Sequence, residues 1–546
     1  MFRILIPLLL LFQTVSAQKL NKADKTIVQY LKNQVGYLSS DDLKGRRAGD
    51  PGEVLASAFI ASKFKEIGLI PKGDNSSYFQ HFTINDGKEL SKENALTLNG
   101  KLLTAGVDFF PLSNSPSATI HAESSPSLNE QGQPWMIDLA EKIQLNKENP
   151  HFDVVNLLNE QMINAKAKGA SAVIFFNTSS LDDKIQFDPK DRSEPAPLPA
   201  VYINKKAQKQ HLKDNTATFQ ISANLAIGPK IRNARNVVGF LDNNAPYTIV
   251  IGAHFDHLGY GEDGNSMIRT GNPGIHNGAD DNASGTSAMI ELAFLLKKSK
   301  RKQYNYLFIA FSAEELGLNG SKYFVENPTI PLKSINYMIN MDMVGRMNDS
   351  TKTITIGGYG TSPSWKPKID GVKKKTFNIR FDSSGTGPSD HTSFYRKDIP
   401  VLFFFTGLHS DYHKPTDDAD KINYVGILKI IHFIQQMIEG NKKEQKLVFT
   451  KTKEQQTSTA TRFSVSMGIM PDYSYNGTGV RVDGVSENRP AQKAGILTGD
   501  IIKQLGEHKT SSVESYMQAL SKFKKGDKTT VFISRGDKQL TFEIVF

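Results

Sequence analysis

The chain has 546 residues and a mass of 60.5 kDa, which at roughly 100–200 residues per domain is about three domains. Hydrophobic residues make up 38% and cysteine is absent, so real cores can form while thiol nucleophiles, disulfides and cysteine-ligated metal sites are excluded. The 66 basic residues exceed the 56 acidic ones by a formal +10; the lysines are scattered, so no nucleic-acid partner is expected.

The N-terminus has the pattern of a signal peptide over residues 1–17. Arg3 supplies the charged end, Ile4 to Phe12 an apolar run interrupted only by Pro7, and Val15-Ser16-Ala17 the small residues of a cleavage site. The expected mature protein is exported, periplasmic or secreted. No other segment approaches the ~18 consecutive apolar residues of a bilayer span, so no integral membrane segment is expected.

Residues 18–82 read as helical, with Ala56, Phe59, Ile60, Phe64 and Ile67 at helical spacing and Gly68 ending the run. Residues 83–231 change to short strands and loops, with one clear unit: a helix around Met162–Lys168, Gly169, and a strand at Ala172–Phe176. Over residues 232–440 strands and helices alternate. The apolar runs Thr248–Gly252, Tyr306–Phe311, Tyr337–Met341 and Val401–Phe405 are short and nearly continuous, with helical stretches such as Ser287–Leu296 between them. That pattern predicts an α/β fold with a mostly parallel sheet buried on both faces. Residues 441–460 read as a polar linker. Residues 461–546 predict short strands, an Ala-Gly turn and a helix near Ser512–Leu520.

The residues capable of chemistry cluster at the predicted strand ends, where open α/β sheets place their ligand sites. After the first run comes Ala253-His254-Phe255-Asp256-His257, an imidazole with a carboxylate two residues on. Gly278-Ala279-Asp280-Asp281-Asn282-Ala283-Ser284-Gly285 opens a helix; its aspartates fit either a metal or a helix cap. Glu314 and Glu315 end the second run, and two adjacent buried carboxylates are costly without a cation. A turn there would bring both into one cleft, one to bind metal and one to act as base. Asp342 closes the third run, and Tyr412-His413 follows the fourth. Together these give a His-Asp-Glu-Asp-His set able to hold two zinc ions through one shared Asp, each ion keeping an open position for water.

The stretches AHFDH, GADDNASG, SAEELGLNGS, NMDMVG, SDHTSF and YHKPTDD, in that order, closely resemble the co-catalytic di-zinc exopeptidase family, which includes the bacterial leucyl aminopeptidases and glutamate carboxypeptidase II. The resemblance implies a phosphorylase/hydrolase-like α/β fold and two Zn2+ per chain, with Co2+ or Mn2+ as substitutes. It implies that His254, Asp281 and Asp342 bind one ion and Asp281, Glu315 and His413 the other. Glu314 then matches the general base, Asp256 the carboxylate orienting the first histidine, and Tyr412 an oxyanion donor; His391 would line the pocket.

The insertion over residues 83–231 resembles a mostly-β protease-associated domain, through Ala165–Ile174 and Leu198–Val201. The C-terminal block resembles a PDZ domain, through Asn488–Ile496 and Gly499–Ile502. Its peptide-binding loop would lie at Gly468 and Ile469, taking protein C-termini by strand addition; the other reading is a packing module. The function implied is an exported aminopeptidase acting on peptides. The competing readings are a carboxypeptidase, a glutaminyl-cyclase-like acyl transferase, and a non-catalytic peptide- or protein-binding protein.

Overall fold

The computed structural model describes residues 20–147, 152–191, 195–268, 274–372, 377–440, 446–452, 465–472, 475, 477–485, 489–511, 513–520, 522–524 and 526–546. The signal peptide expected over 1–17, most of the expected linker and Asn488 of the PDZ-like motif lie outside the described residues.

Two helices open the described chain. In α1 (Lys22–Leu38) the Asn21 side chain caps the first turn, and Ile27, Leu31, Val35 and Leu38 form the buried stripe. Pro51 starts α2 (Pro51–Ile67), which buries Ala56, Ile60 and Phe64 and stops at Gly68, whose φ of +77° suits glycine. The helical pattern expected up to residue 82 ends earlier. Phe79–Leu90 is a strand, because Gln80, Phe82 and Ile84 are buried in alternation.

Nine strands build the central sheet. In chain order they are β1 (Ile70–Pro71), β2 (Phe79–Leu90), β3 (Ile227–Leu241), β4 (Thr248–His254), β5 (Asn305–Phe311), β6 (Ile335–Met341), β7 (Thr353–Gly357), β8 (Asn378–Phe381) and β9 (Val401–Phe405). Their order across the sheet is β1-β3-β5-β4-β6-β9-β7-β8, with β2 also paired to β3. The middle four, β5, β4, β6 and β9, are mutually parallel; the pairings β3–β5 and β9–β7 are antiparallel.

The near-continuous apolar runs follow from burial on both faces. Ile249, Ile251, Tyr306 and Phe308 pack into one core with α1, α2, α3 (Gly285–Lys298) and α6 (Tyr424–Glu439). Val250, Leu307, Ile309 and Phe311 pack into a second core with α4 (Asn319–Glu326) and α5 (His391–Tyr395).

Strands β2 and β3 lead into and out of the insertion as an antiparallel pair. The insertion holds two four-stranded sheets and the helix Val154–Ala167 ahead of the strand Ala172–Phe176. The C-terminal unit is a six-stranded sheet with the helices Pro490–Ala494 and Val513–Leu520. Residues 446–452 lie against the core of the central-sheet domain: Leu447 is buried, its N–H donates to Asn336 Oδ1 at 2.8 Å, and the Thr452 N–H donates to Tyr395 Oη at 2.9 Å. A Lys322–Asp472 ion pair of 2.8 Å joins α4 to the C-terminal unit.

Candidate metal centre

The four central strands are parallel, so their C-terminal ends share one edge of the sheet, and the expected residues meet there. His254 is the last residue of β4. Past β5 the backbone turns sharply: Ala313 takes a φ of +56°, and the Glu314 carbonyl accepts from the Gly317 and Leu318 N–H groups at 2.8 and 2.9 Å. This turn overrides strand alternation and brings both glutamates into one cleft. Asp342 follows β6, and the segment after β9 carries Tyr412 and His413.

His254 Nε2 lies 3.3 Å from Asp281 Oδ1 and 3.3 Å from Asp342 Oδ1. His413 Nε2 lies 3.3 Å from Asp281 Oδ2 and 3.2 Å from Glu315 Oε2. Four ligands about 2.0–2.1 Å from a tetrahedral ion stand roughly 3.3 Å apart, so both groupings have the spacing of a metal's ligand shell. Asp281 presents one oxygen to each.

The tautomers suit this arrangement. A carbonyl can only accept, so the Asn265 carbonyl, 2.9 Å from His413 Nδ1, places the proton on that nitrogen and leaves Nε2 as the ligand atom. The Asp256 carbonyl, 3.3 Å from His254 Nδ1, does the same for His254. The Asp256 carboxylate stands farther from that ring, at 3.7 Å; it accepts instead from the Glu314 and Glu315 N–H groups at 3.1 and 3.4 Å. It therefore fixes the turn that carries the two glutamates.

Ser389 donates to Asp342 Oδ2 at 2.7 Å, while Asp342 Oδ1 is buried with no hydrogen-bond partner among the described residues. An orphaned carboxylate oxygen aimed at His254 is where a cation fits. The wider setting argues likewise. Asp256, Asp280, Asp281, Glu314, Asp342, Asp390 and Asp417 are all buried, and so many carboxylates out of water call for positive charge. His254, Asp281 and Asp342 form one group able to hold a metal ion, and His257, Asp281 and Glu315 a second. Within the second, His257 Nδ1 stands only 2.7 Å from Glu315 Oε1. That is a hydrogen bond rather than the spacing of two co-ligands, whereas His413 Nε2 keeps 3.3 and 3.2 Å from Asp281 and Glu315.

Burial pushes Glu314 well above the usual carboxyl range; His254 opposes this, and Glu315, Asp342 and Asp390 add to it. Its Oε2 lies 4.0 Å from His254 Nε2. Burial also raises Tyr412 well above an ordinary phenol, reinforced by Asp281, Glu315, Glu314 and Asp342, and its ring stacks on His413 at 3.9 Å. His391 is buried and stacks on Phe403 at 4.5 Å; burial holds it down to about 3. In the C-terminal unit Gly468 has a φ of +81° and its N–H donates to Ser466 Oγ at 3.1 Å, while Ile469 opens the strand Ile469–Pro471 with its side chain in the core.

Four supporting residues escape a reading of single motifs. The buried Arg46 donates to the carbonyls of Leu38, Phe255, Asn277 and Gly278, tying the chain after β4 to the chain before Asp281. Asp417 accepts from the Asp280 and Asp281 N–H groups at 2.9 and 3.1 Å. His257 anchors Glu315, and Asn265 fixes His413. His257 and Asp417 stand inside the AHFDH and YHKPTDD stretches, so the signal was present; Arg46 and Asn265 act through backbone contacts distant in sequence.

Residues 236–438 match the model of peptidase family M28, and residues 451–545 that of the PDZ domain. The aminopeptidase YwaD of Bacillus subtilis (strain 168) is 26% identical over 401 residues, covering 70% of this chain and 78% of the relative. An aminopeptidase of Pseudomonas aeruginosa is 30% identical over 258 residues, covering 45% of this chain and 44% of the relative. The solved aminopeptidase of Aneurinibacillus sp. strain AM-1 aligns with a TM-score of 0.42 at 22% identity, over 78% of this chain and 97% of that one. Over residues 236–438 the chain is thus similar to peptidase family M28, and over residues 451–545 to the PDZ domain.

Proposed function

We propose that the protein is an exported di-zinc aminopeptidase that removes N-terminal residues from peptides. The observation that carries the reading is the division of Asp281 between two ligand groupings of matching spacing, with Glu314 beside them. His254, Asp281 and Asp342 would hold one ion, and Asp281, Glu315 and His413 the other. Ions bound there would polarise the scissile carbonyl and acidify the attacking water. Glu314 takes the proton of that water as it adds to the carbonyl carbon and passes it to the leaving nitrogen. The Tyr412 hydroxyl, held beside His413, donates to the carbonyl oxygen as its negative charge develops.

A carboxypeptidase needs a free cation for the substrate carboxylate, and Arg346 and Arg396, in the same block as the centre, are engaged. Arg346 pairs with Asp411 at 2.9 Å and faces Asp417 at 3.8 Å. Arg380 lies on β8 with its side chain exposed, and Arg396 already has a partner. An acid-rich cleft instead suits a peptide's terminal ammonium. The complete ligand set with Glu314 also favours hydrolysis over one-ion cyclase chemistry or a binding role.

The test is metal content by mass spectrometry on the mature protein, paired with hydrolysis of an aminoacyl-nitroanilide panel. The expected result is two zinc ions per chain and release that a chelator abolishes. One zinc without release would favour the cyclase or carboxypeptidase reading, and no metal a binding role. Asp281→Ala should strip both sites; unchanged zinc content would end the shared-ligand assignment.

A further inference from the structure

Between β4 and α3, the short stretch Asn265–Met267 touches both ligands specific to the second grouping. Asn265 accepts from His413 Nδ1 at 2.9 Å through its carbonyl and donates to the Glu315 carbonyl at 3.3 Å through its amide. The Met267 N–H donates to the His413 carbonyl at 2.9 Å. Two residues before Asn265, Asp263 is clamped. Its carboxylate takes a forked pair of bonds from Arg47, at 2.8 and 2.9 Å, and a further bond from Arg232 Nη2 at 3.2 Å.

The clamp continues into the insertion. Arg232 Nη2 and Arg47 Nη2 also reach Asp86 Oδ1, at 3.0 and 3.4 Å, and Lys230 pairs with Asp86 Oδ2 at 3.0 Å. Asp86 stands on β2 and Arg232 on β3, the strands leading into and out of the insertion. Lys190, inside the insertion, donates to the Glu262 carbonyl at 3.3 Å. The side chains of Arg47, Asp86, Arg232 and Asp263 are only 12%, 5%, 8% and 10% exposed, so this is a part-buried network in which a lost partner leaves a charge uncompensated.

We infer that Asp263 is a positioning residue for the Glu315–His413 half of the centre, and that through Arg232 and Asp86 the insertion's attachment helps set the affinity of that half for its ion. The inference rests on the two-ion reading. Asp263 touches none of the proposed ligands; it acts by fixing the stretch on which Asn265 sits. Neither Asn265 nor Met267 hydrogen-bonds to His254, Asp281 or Asp342 among the described residues, so the effect is expected to be one-sided.

The test is equilibrium dialysis of the full chain against zinc and cobalt, in two backgrounds that each keep one ligand grouping. With Asp342→Asn, adding Asp263→Asn should weaken the remaining site by roughly tenfold or more, the scale of losing an outer partner of a ligand. With Glu315→Gln, the same addition should leave affinity within about twofold, as for independent sites. Unchanged affinity in both backgrounds overturns the inference, and so does equal loss in both, which would be general damage. If Asp263→Asn does not fold, Arg232→Lys keeps the charge but loses the guanidinium Nη2 that bridges Asp263 and Asp86, and the same one-sided loss is expected. Binding of a single ion by the unsubstituted chain would overturn the two-ion reading itself, and this inference with it.

Discussion

Glu314 and Glu315 are chain neighbours held in opposite protonation regimes. Burial and Asp281 push Glu315 up, but His413 and His257 outweigh them and hold it at about 2, as suits a ligand. Glu314 has only His254 in its favour against burial and three carboxylates, so it holds a proton readily, as suits a group that takes one and gives it back. Glu314→Gln should therefore keep its metal while kcat falls by roughly a hundred- to ten-thousand-fold. Metal analysis and kinetics on one preparation check this; near-normal kcat would remove Glu314 as the base.

At the scale of the element, α3 carries a second buried acid far from the chemistry. Gln34 of α1 donates to Glu291 Oε1 at 2.6 Å, and burial raises Glu291 to about 7, opposed by Gln34 and Lys63. Its folded value lies above its unfolded one, so its neutral form is the one the fold favours. That stability is complete below about 4.5 and is lost as pH rises through about 7. Glu291→Gln should make the protein more stable at pH 8, by on the order of 2 kcal/mol, and change little at pH 4.5; denaturant melts at the two pH values check it.

The strands of this layer were legible because burial on both faces leaves nearly unbroken apolar runs, and the proposed ligands were legible because four of them follow such runs and Asp281 opens a helix. Val401–Phe405 is found as read, and Thr248–Gly252 extends only to His254. The start of β2 was not legible. It follows two helices with a short polar break, and its alternation spans only a few residues before the pattern turns polar. The residues that aim the ligands were the least legible. Arg46 bonds to main-chain carbonyls at Phe255, Asn277 and Gly278, and the Asn265 carbonyl accepts from the His413 ring, all across more than 140 positions, and such contacts leave no spacing in the sequence.

For the whole molecule, all the proposed ligands come from residues 254–413, and the PDZ domain adds none. Deleting residues 453–546 removes the Lys322–Asp472 pair and spares the packed stretch through Thr452. Hydrolysis of small aminoacyl-nitroanilides should then stay within about threefold, as expected across a boundary between separate cores. A much larger loss would assign the PDZ domain a part in shaping the cleft.

The pairing of β2 with β3 has a further consequence. Asn85 and Ile231 stand directly opposite each other, as do Ile84 and Arg232. To the central sheet, the whole insertion is therefore the loop of a hairpin. Closing a loop costs only about 0.6 kcal/mol more for each doubling of its length, so the sheet tolerates nearly any passenger that returns its two ends to the same place. The passenger can be enlarged, exchanged or reduced to a tight turn without altering the register of a single central strand, provided Asp86 and Arg232 keep their places at its two ends.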